Sequence, residues 1–418
     1  MKKICLTLVG IYLLFAAAFA QQFQPDTSDY KSTKLKLEEV NLVSGYYNQN
    51  GDHSAVTGGI GTQKLNDISN VLELKFVKWG NYNDNKYTFG IEAGIDHHTA
   101  ASQAYISKTG ASKPYGTRIY PSINWQVEKP NKTTIGFGLS YSTEYNYHSY
   151  GASLLLGRAS KNNNREVTFK AQAFIDQVTM IEPSEFAPKT VPGTITTYTT
   201  ASGRVITTRT GASGDDIPKK ARNTFSGSLT ISQVVNKNFQ LALITDVVGQ
   251  SGLLSLPFHR VYFKSTNDTA KIENLPDNRL KIPLALRMNY FLGDKFIIRT
   301  YYRYYTDNWG VNAHTASLEI PYKISPFVSV SPFYRYYVQT AARYFAPYKE
   351  HQLSEKYFTS NYDLSAFSSH FVGINFRVTP RKGVLGIPFF NMLELRYGHY
   401  IQTTGLHADN IGLNLKFK

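Results

Sequence analysis

The chain has 418 residues, 42% hydrophobic, 18% charged and 14% aromatic, with 30 Tyr, 25 Phe and 30 Gly beside 4 Met and 1 Cys. That mixture is too apolar and aromatic for a disordered chain, and Tyr and Phe favour the pleated, half-buried surfaces of β-strands. After the N-terminus no run of about eighteen residues is predominantly apolar and uncharged, which excludes a bundle of transmembrane helices. The excess of 15 positive charges is scattered singly, so no nucleic-acid surface is expected.

The chain opens with an export signal. Lys2 and Lys3 supply the positive start, Ile4 to Ala17 an apolar core, and Ala18-Phe19-Ala20 the small-x-small cleavage pattern. Residues 1–20 are therefore read as a signal peptide cut after Ala20, and 21–38 as a periplasmic N-terminal extension. Cys5 lies inside the removed segment, so the mature chain has no disulfide, thiol nucleophile or cysteine metal ligand.

From residue 39 to 418 apolar residues recur with period two. Ile135, Phe137, Leu139 and Tyr141 alternate with Thr134, Gly136, Gly138, Ser140 and Ser142. Phe225, Leu229 and Ile231 alternate with serines and Thr230. Leu284, Leu286, Met288, Tyr290 and Leu292 have Arg287 and Asn289 between them, and Ile411, Leu413, Leu415 and Phe417 close the chain against Asn414 and Lys416. Strands start near residues 39, 68, 86, 117, 133, 149, 165, 222, 238, 281, 295, 310, 327, 367, 389 and 408.

Tight connections with Asn, Asp, Gly, Pro or Lys chemistry, such as 81–85, 129–132 and 293–295, alternate with longer ones, notably 51–67, 99–116, 179–221, 251–280 and 340–366. Short turns at one end and long loops at the other point to an all-β fold, a transmembrane antiparallel β-barrel of about 16 strands, with 14 or 18 as alternatives. Its turns are expected in the periplasm and its loops outside. A soluble β-sandwich also alternates, but strands of ten or more residues and charged polar faces weigh against it. So does the clustering of Trp79, Trp125, Tyr290, Phe296 and Tyr322 near tight turns and of Tyr46, Tyr47, Tyr145, Tyr147, Tyr150, Tyr304, Tyr305 and Tyr400 near loops, as two girdles. The segment 194–210 reads as a β-hairpin turning at Ser202-Gly203.

The segments GDHSAVTGGIGTQKLNDISN at 51–70, AGIDHHTAAS at 93–102, LSLPFHRVYF at 254–263 and YYRYYTDNWG at 301–310 carry a resemblance. HTASLEIPYKISPFVSVSPFYRYY at 314–337, TSNYDLSAF at 359–367 and ELRYGHYIQTTGL at 394–406 complete it. With these the chain resembles the domain-of-unknown-function 3570 family of bacterial, Bacteroidota-type outer-membrane β-barrel proteins. The resemblance implies an outer-membrane barrel and carries no activity with it. Through members placed beside genes for flavin transferases and thioredoxin-like proteins, it also implies envelope redox work as an alternative.

With apolar residues facing lipid, the alternate positions face the lumen. They give Arg287, Arg299, Arg303, Arg335, Arg377 and Arg396 in the second half and Glu73, Glu92 and Asp96 in the first, as candidate pore-lining charges. Nine of the ten histidines fall in loops or near the loop ends of strands. His53, His97 and His98, each beside an Asp or another His, are candidate metal ligands, although no defined ligand spacing accompanies them. Ser54 with His53, or Asp96 with His98, would be needed for rim catalysis, but no Gly-x-Ser-x-Gly elbow exists and no catalytic residue or cofactor is expected. The sequence is thus read as a porin-like channel for small polar solutes, in contact with outer-membrane lipid. A non-conducting scaffold working with periplasmic or surface proteins, possible in redox or metal handling, is the alternative.

Overall fold

The computed structural model describes residues 32–99, 115–180, 194–199, 205–210, 219–265 and 267–418. The export signal and most of the 21–38 extension lie outside these residues, as does the Ser202-Gly203 turn. The first half of the wall is β1 (Lys36–Asn50), β2 (Leu65–Trp79), β3 (Lys86–Thr99), β4 (Tyr115–Glu128), β5 (Thr133–Glu144), β6 (Tyr147–Ala159) and β7 (Arg165–Thr179). β8 (Thr194–Thr199) and β9 (Val205–Thr210) pair only with each other, as the hairpin read in the sequence. The wall resumes with β10 (Lys219–Asn236) and β11 (Phe239–Gly252), and β12 (Arg260–Tyr262) and β13 (Ala270–Ile272) form a small hairpin within the next loop. Then follow β14 (Asn278–Leu292), β15 (Phe296–Asp307), β16 (Asn312–Glu319), β17 (Tyr322–Ser325), β18 (Val328–Gln339), β19 (Phe367–Val378), β20 (Phe390–Gln402) and β21 (His407–Phe417).

Each wall strand pairs antiparallel with the next, and β21 returns to β1 from Val40↔Phe417 to Asn50↔His407, so the sheet closes. Of 17 hydrogen-bonded segments, β16 and β17 both lie between β15 and β18. They are halves of one strand broken at Ile320-Pro321, where proline lacks the ladder N–H. The barrel therefore has 16 strands. Its unbroken strands run from 11 residues in β21 to 18 in β10, beyond the globular mode of about 5–6 and long enough for a tilted bilayer crossing.

The even count puts both ends of the described wall beside the short turns. Asp84, Lys132 and Asn163 take positive φ in three of those turns, the conformation that tight reversals require. The opposite end is less uniform than simple alternation implies, because Tyr145-Asn146, 308–311 and 403–406 are tight as well. One face of the wall exposes large apolar residues such as Ile123, Leu139, Leu154, Phe169, Leu243, Leu284, Ile374 and Leu395, a surface suited to lipid.

The girdles need one correction. Tyr46 and Tyr304 face outward, but Tyr47, Tyr147, Tyr305 and Tyr400 share register positions with inward residues and point into the lumen. Consecutive strand residues point to opposite faces, so a pair such as Tyr46-Tyr47 is divided between membrane and interior. The largest fully buried side chains lie outside the wall: Phe263, His351, Val261 and Thr359, at 0–1% exposure, belong to the loop regions.

Candidate functional site

The inner face is identified by a contact that crosses it. Glu319 on β16 lies 3.7 Å from Arg396 on β20, with β18 and β19 between them, and only the concave side of the wall permits such a reach. By register from these residues, Arg287, Arg299, Arg303, Arg335, Arg377, Arg396, Glu73, Glu92 and Asp96 all occupy that lumenal face. Eight places round the ring separate β2 from β14 and β3 from β15, so Glu73, Glu92 and Asp96 stand across the lumen from the start of the arginine wall.

The arginine wall is only partly neutralised. Arg299 pairs with Glu319 at 2.8 Å, and Arg377 lies 3.9 Å from Glu394. Arg335 and Arg396 lie over the rings of Phe371 and Phe333, at 4.9 and 4.0 Å, where the aromatic faces favour cations. Each ring has its place because a glycine stands beside it. A Cβ at Gly373 would come within 2.4 Å of Phe333, and one at Gly398 within 2.5 Å of Phe371. Arg303 keeps a buried Nε without a hydrogen-bond partner. On the acidic side Glu73 and Glu92 are direct cross-strand neighbours, and Asn41 donates to Glu73 at 3.2 Å. Such opposed charge orients polar solutes and sets ion preference in a water-filled lumen.

The three candidate metal ligands are not brought together. His97 points outward and hydrogen-bonds Thr117 at 2.9 Å, whereas His98 points inward to Glu144 at 3.1 Å. His53 lies in the 51–64 loop, stacked on Tyr362 at 3.7 Å with its Nδ1 2.9 Å from the Gly59 carbonyl. Among the described residues no group of three His, Cys, Asp or Glu side chains is placed to share an ion. Nor do the nucleophile–base pairs form: the buried Ser54 Oγ has no partner, and Asp96 accepts from Tyr120 at 2.8 Å while His98 takes Glu144. Several other histidines serve the outer girdle. His314 bonds Tyr302 and His370 bonds Tyr334, each at 2.7 Å, and His399 bonds Asp409 at 2.8 Å.

A folded cap covers the mouth, built from the glycine-rich 51–64 loop, which the sequence suggests folds over it, together with the 253–277 and 340–366 loops, which strand alternation does not join to it. Phe263, Val261 and Phe358 form its apolar centre. Glu273 is buried there and accepts from Thr359 at 2.5 Å and from the Leu256 amide at 2.9 Å, with His259 3.4 Å away. Burial works against the ionised form of Glu273, yet His259 and these hydrogen bonds hold its carboxyl below the usual carboxylate range. Arg260 donates to the Val56 carbonyl, and Lys264 N–H to that of His351, tying the three loops together. The cap is fixed to the barrel where Gln339, an inward residue of β18, donates to the Ser365 and Asp363 carbonyls at 2.6 and 3.0 Å. Asp307 anchors the neighbouring turn. Its Oδ2 accepts from Nε and Nη2 of Arg279 and from the Tyr305 hydroxyl, and its Oδ1 from the Trp309 and Val311 amides. The available signal was the set of loop motifs that carry the family resemblance, since 51–64, 254–263 and 359–365 meet in this cap.

A family model described as Protein of unknown function (DUF3570) matches residues 92–389. No curated protein matches the chain. Among solved structures it is similar to OccK1 (OpdK) of Pseudomonas aeruginosa, with 7% identity, 93% of this chain and 99% of that one covered, and a TM-score of 0.38. A BenF-like porin from Pseudomonas fluorescens Pf-5 shows 9% identity over 93% and 99% of the two chains, with a TM-score of 0.36. A bacterial polysaccharide outer membrane secretin shows 9% identity over 91% and 98%, with a TM-score of 0.42. The barrel itself rests on its strand pairing, independently of these likenesses.

Proposed function

The chain belongs to the DUF3570 family of proteins of unknown function, and we propose that it is a porin-like channel of the outer membrane for small polar solutes. The observation that carries this reading is the lumenal wall: a ring of 16 strands with arginines on one side and carboxylates opposite, only partly paired. Barrels of about sixteen strands are wide enough to leave an aqueous channel, whereas eight-stranded ones fill with side chains. In this reading the N-terminal signal is removed after Ala20, the short turns face the periplasm and the capped loops face outward. In this reading the chain needs no catalytic residue and no cofactor.

A scaffold barrel is the second reading, and the packed cap at the mouth favours it, since a surface of folded loops also suits a protein partner. Liposome swelling separates the two. Proteoliposomes containing the purified protein are expected to swell in isotonic glycine or arabinose at a rate that falls with solute size. Swelling no faster than in empty liposomes would favour the scaffold.

A further inference from the structure

The wall across from the arginines carries a cavity of about 420 Å³ on the lumenal sides of β4–β7 and β10, within the usual range for small-molecule sites. Two matching triads border it, and all of their residues but Asp96 line it. In the first, Tyr120 donates to Asp96 at 2.8 Å while the Arg118 guanidinium lies 4.8 Å above the Tyr120 ring and 4.0 Å from Asp96. In the second, Tyr147 donates to Asp176 Oδ2 at 2.5 Å, with Arg222 5.0 Å above the Tyr147 ring and 3.6 Å from the same oxygen. Each tyrosine thus holds a carboxylate through its hydroxyl and a guanidinium through its ring face.

These triads are incompletely satisfied. Asp176 is 5% exposed, and its Oδ1 is buried without a hydrogen-bond partner. A buried carboxylate oxygen without a donor is unfavourable, and buried polar atoms in folded proteins are rarely left so. Arg118 uses its Nε on Ser142 at 2.8 Å, and its terminal nitrogen stays outside hydrogen-bond distance of Asp96. The lining therefore combines a carboxylate with one unpaired oxygen and two guanidinium groups that stand 3.6 and 4.0 Å from their carboxylates.

Vicinal hydroxyls fit both, because each hydroxyl gives one hydrogen and accepts others. The lining sets Arg118 and Arg222 against Glu92 and Asp176, with Asp96 behind Arg118, so the cavity has no excess of positive charge to favour an anion over an uncharged ligand. Phe174 packs against Gly151, where a Cβ would come within 2.8 Å of the ring, and supplies an apolar surface for the C–H side of a sugar.

We propose that this cavity is a binding site for a small neutral polyol of monosaccharide size. One hydroxyl donates to the Asp176 carboxylate, its neighbours accept from Arg118 and Arg222, and the ring face rests on Phe174. The proposal rests on the channel reading, since a solute reaches this wall through the lumen.

The test uses the purified full-length protein in two settings: equilibrium binding of labelled glucose in detergent, and ion current through a planar bilayer with glucose added. Wild type is expected to bind glucose and to show glucose-dependent interruptions of current. D176N and R118K, each checked for a heat-modifiable barrel, are expected to lose about tenfold or more in glucose affinity, the scale of one buried charged hydrogen bond. A conducting protein that ignores glucose but is interrupted by gluconate or glycine would overturn the neutral-polyol assignment. A silent bilayer would overturn the channel reading, and detergent binding then decides this proposal alone. Glucose bound by neither wild type nor variants, or equally by all, would overturn it.

Discussion

Glu319 reaches the guanidinium of Arg396 at 3.7 Å although two whole strands, β18 and β19, stand between their backbones. The same carboxylate holds Arg299 at 2.8 Å, so one acid restrains two members of the arginine wall. Replacing Glu319 with Gln releases both and is expected to shift the reversal potential in a salt gradient towards the anion. Neutralising Arg299 and Arg303 together should shift it the opposite way. Because the two guanidinium groups that Glu319 holds are 47% and 43% exposed, its replacement should move stability by no more than about 1 kcal/mol in urea unfolding. Unchanged reversal potentials in both variants would remove these residues from the ion path.

Asp307 is a structural anchor. Its side chain is 0% exposed and Arg279 beside it 15%, and it satisfies two amides of the 308–311 turn. Asp307→Ala leaves a mostly buried guanidinium and two N–H groups without their acceptor. The expected cost is about 3–5 kcal/mol, read as a lower urea midpoint and faster hydrogen exchange at the turn.

Glu273 gives the cap an acid limit. Its folded pKa lies below the ordinary 4.5, so the unfolded cap takes up a proton first as pH falls. The stabilisation is complete above the ordinary value and is lost as pH drops through the lowered one. Hydrogen exchange in 253–277 and 340–366 is expected to stay slow from neutral pH down to the carboxylate range and to accelerate below it, after correction for intrinsic exchange. Glu273→Gln should make that exchange faster at neutral pH and remove the acid step attributable to this residue.

The two faces of β14 test the lipid assignment. Leu284→Arg puts a charge on the apolar face, at an expected cost of about 2–4 kcal/mol near mid-membrane and a loss of heat-modifiable barrel. Asn289→Arg, on the lumenal face, should assemble normally. Equal assembly of both variants would contradict the assigned orientation.

The wall was legible in the sequence because a barrel strand is a local pattern. The expected starts near 39, 86, 133, 165 and 367 correspond to observed starts at Lys36, Lys86, Thr133, Arg165 and Phe367. The lumenal charges followed from the same period of two. The cap did not, because its contacts join residues far apart in the chain: Thr359 to Glu273, and Arg260 to Val56. No short-range periodicity encodes such pairings. The cavity was hidden for a similar reason. Asp176 carries no mark in the sequence that sets it apart from other inward acids, and only the fold places Tyr147 and Arg222 upon it.

The most direct test of the account is single-channel conductance of the purified barrel in a planar bilayer. A water-filled lumen beneath the cap predicts stable, reproducible current steps whose ion preference moves in opposite directions in Glu319→Gln and in the Arg299/Arg303 double variant. A correctly folded, heat-modifiable protein that inserts and passes no current would contradict it and leave the barrel as a scaffold for partners at its cap.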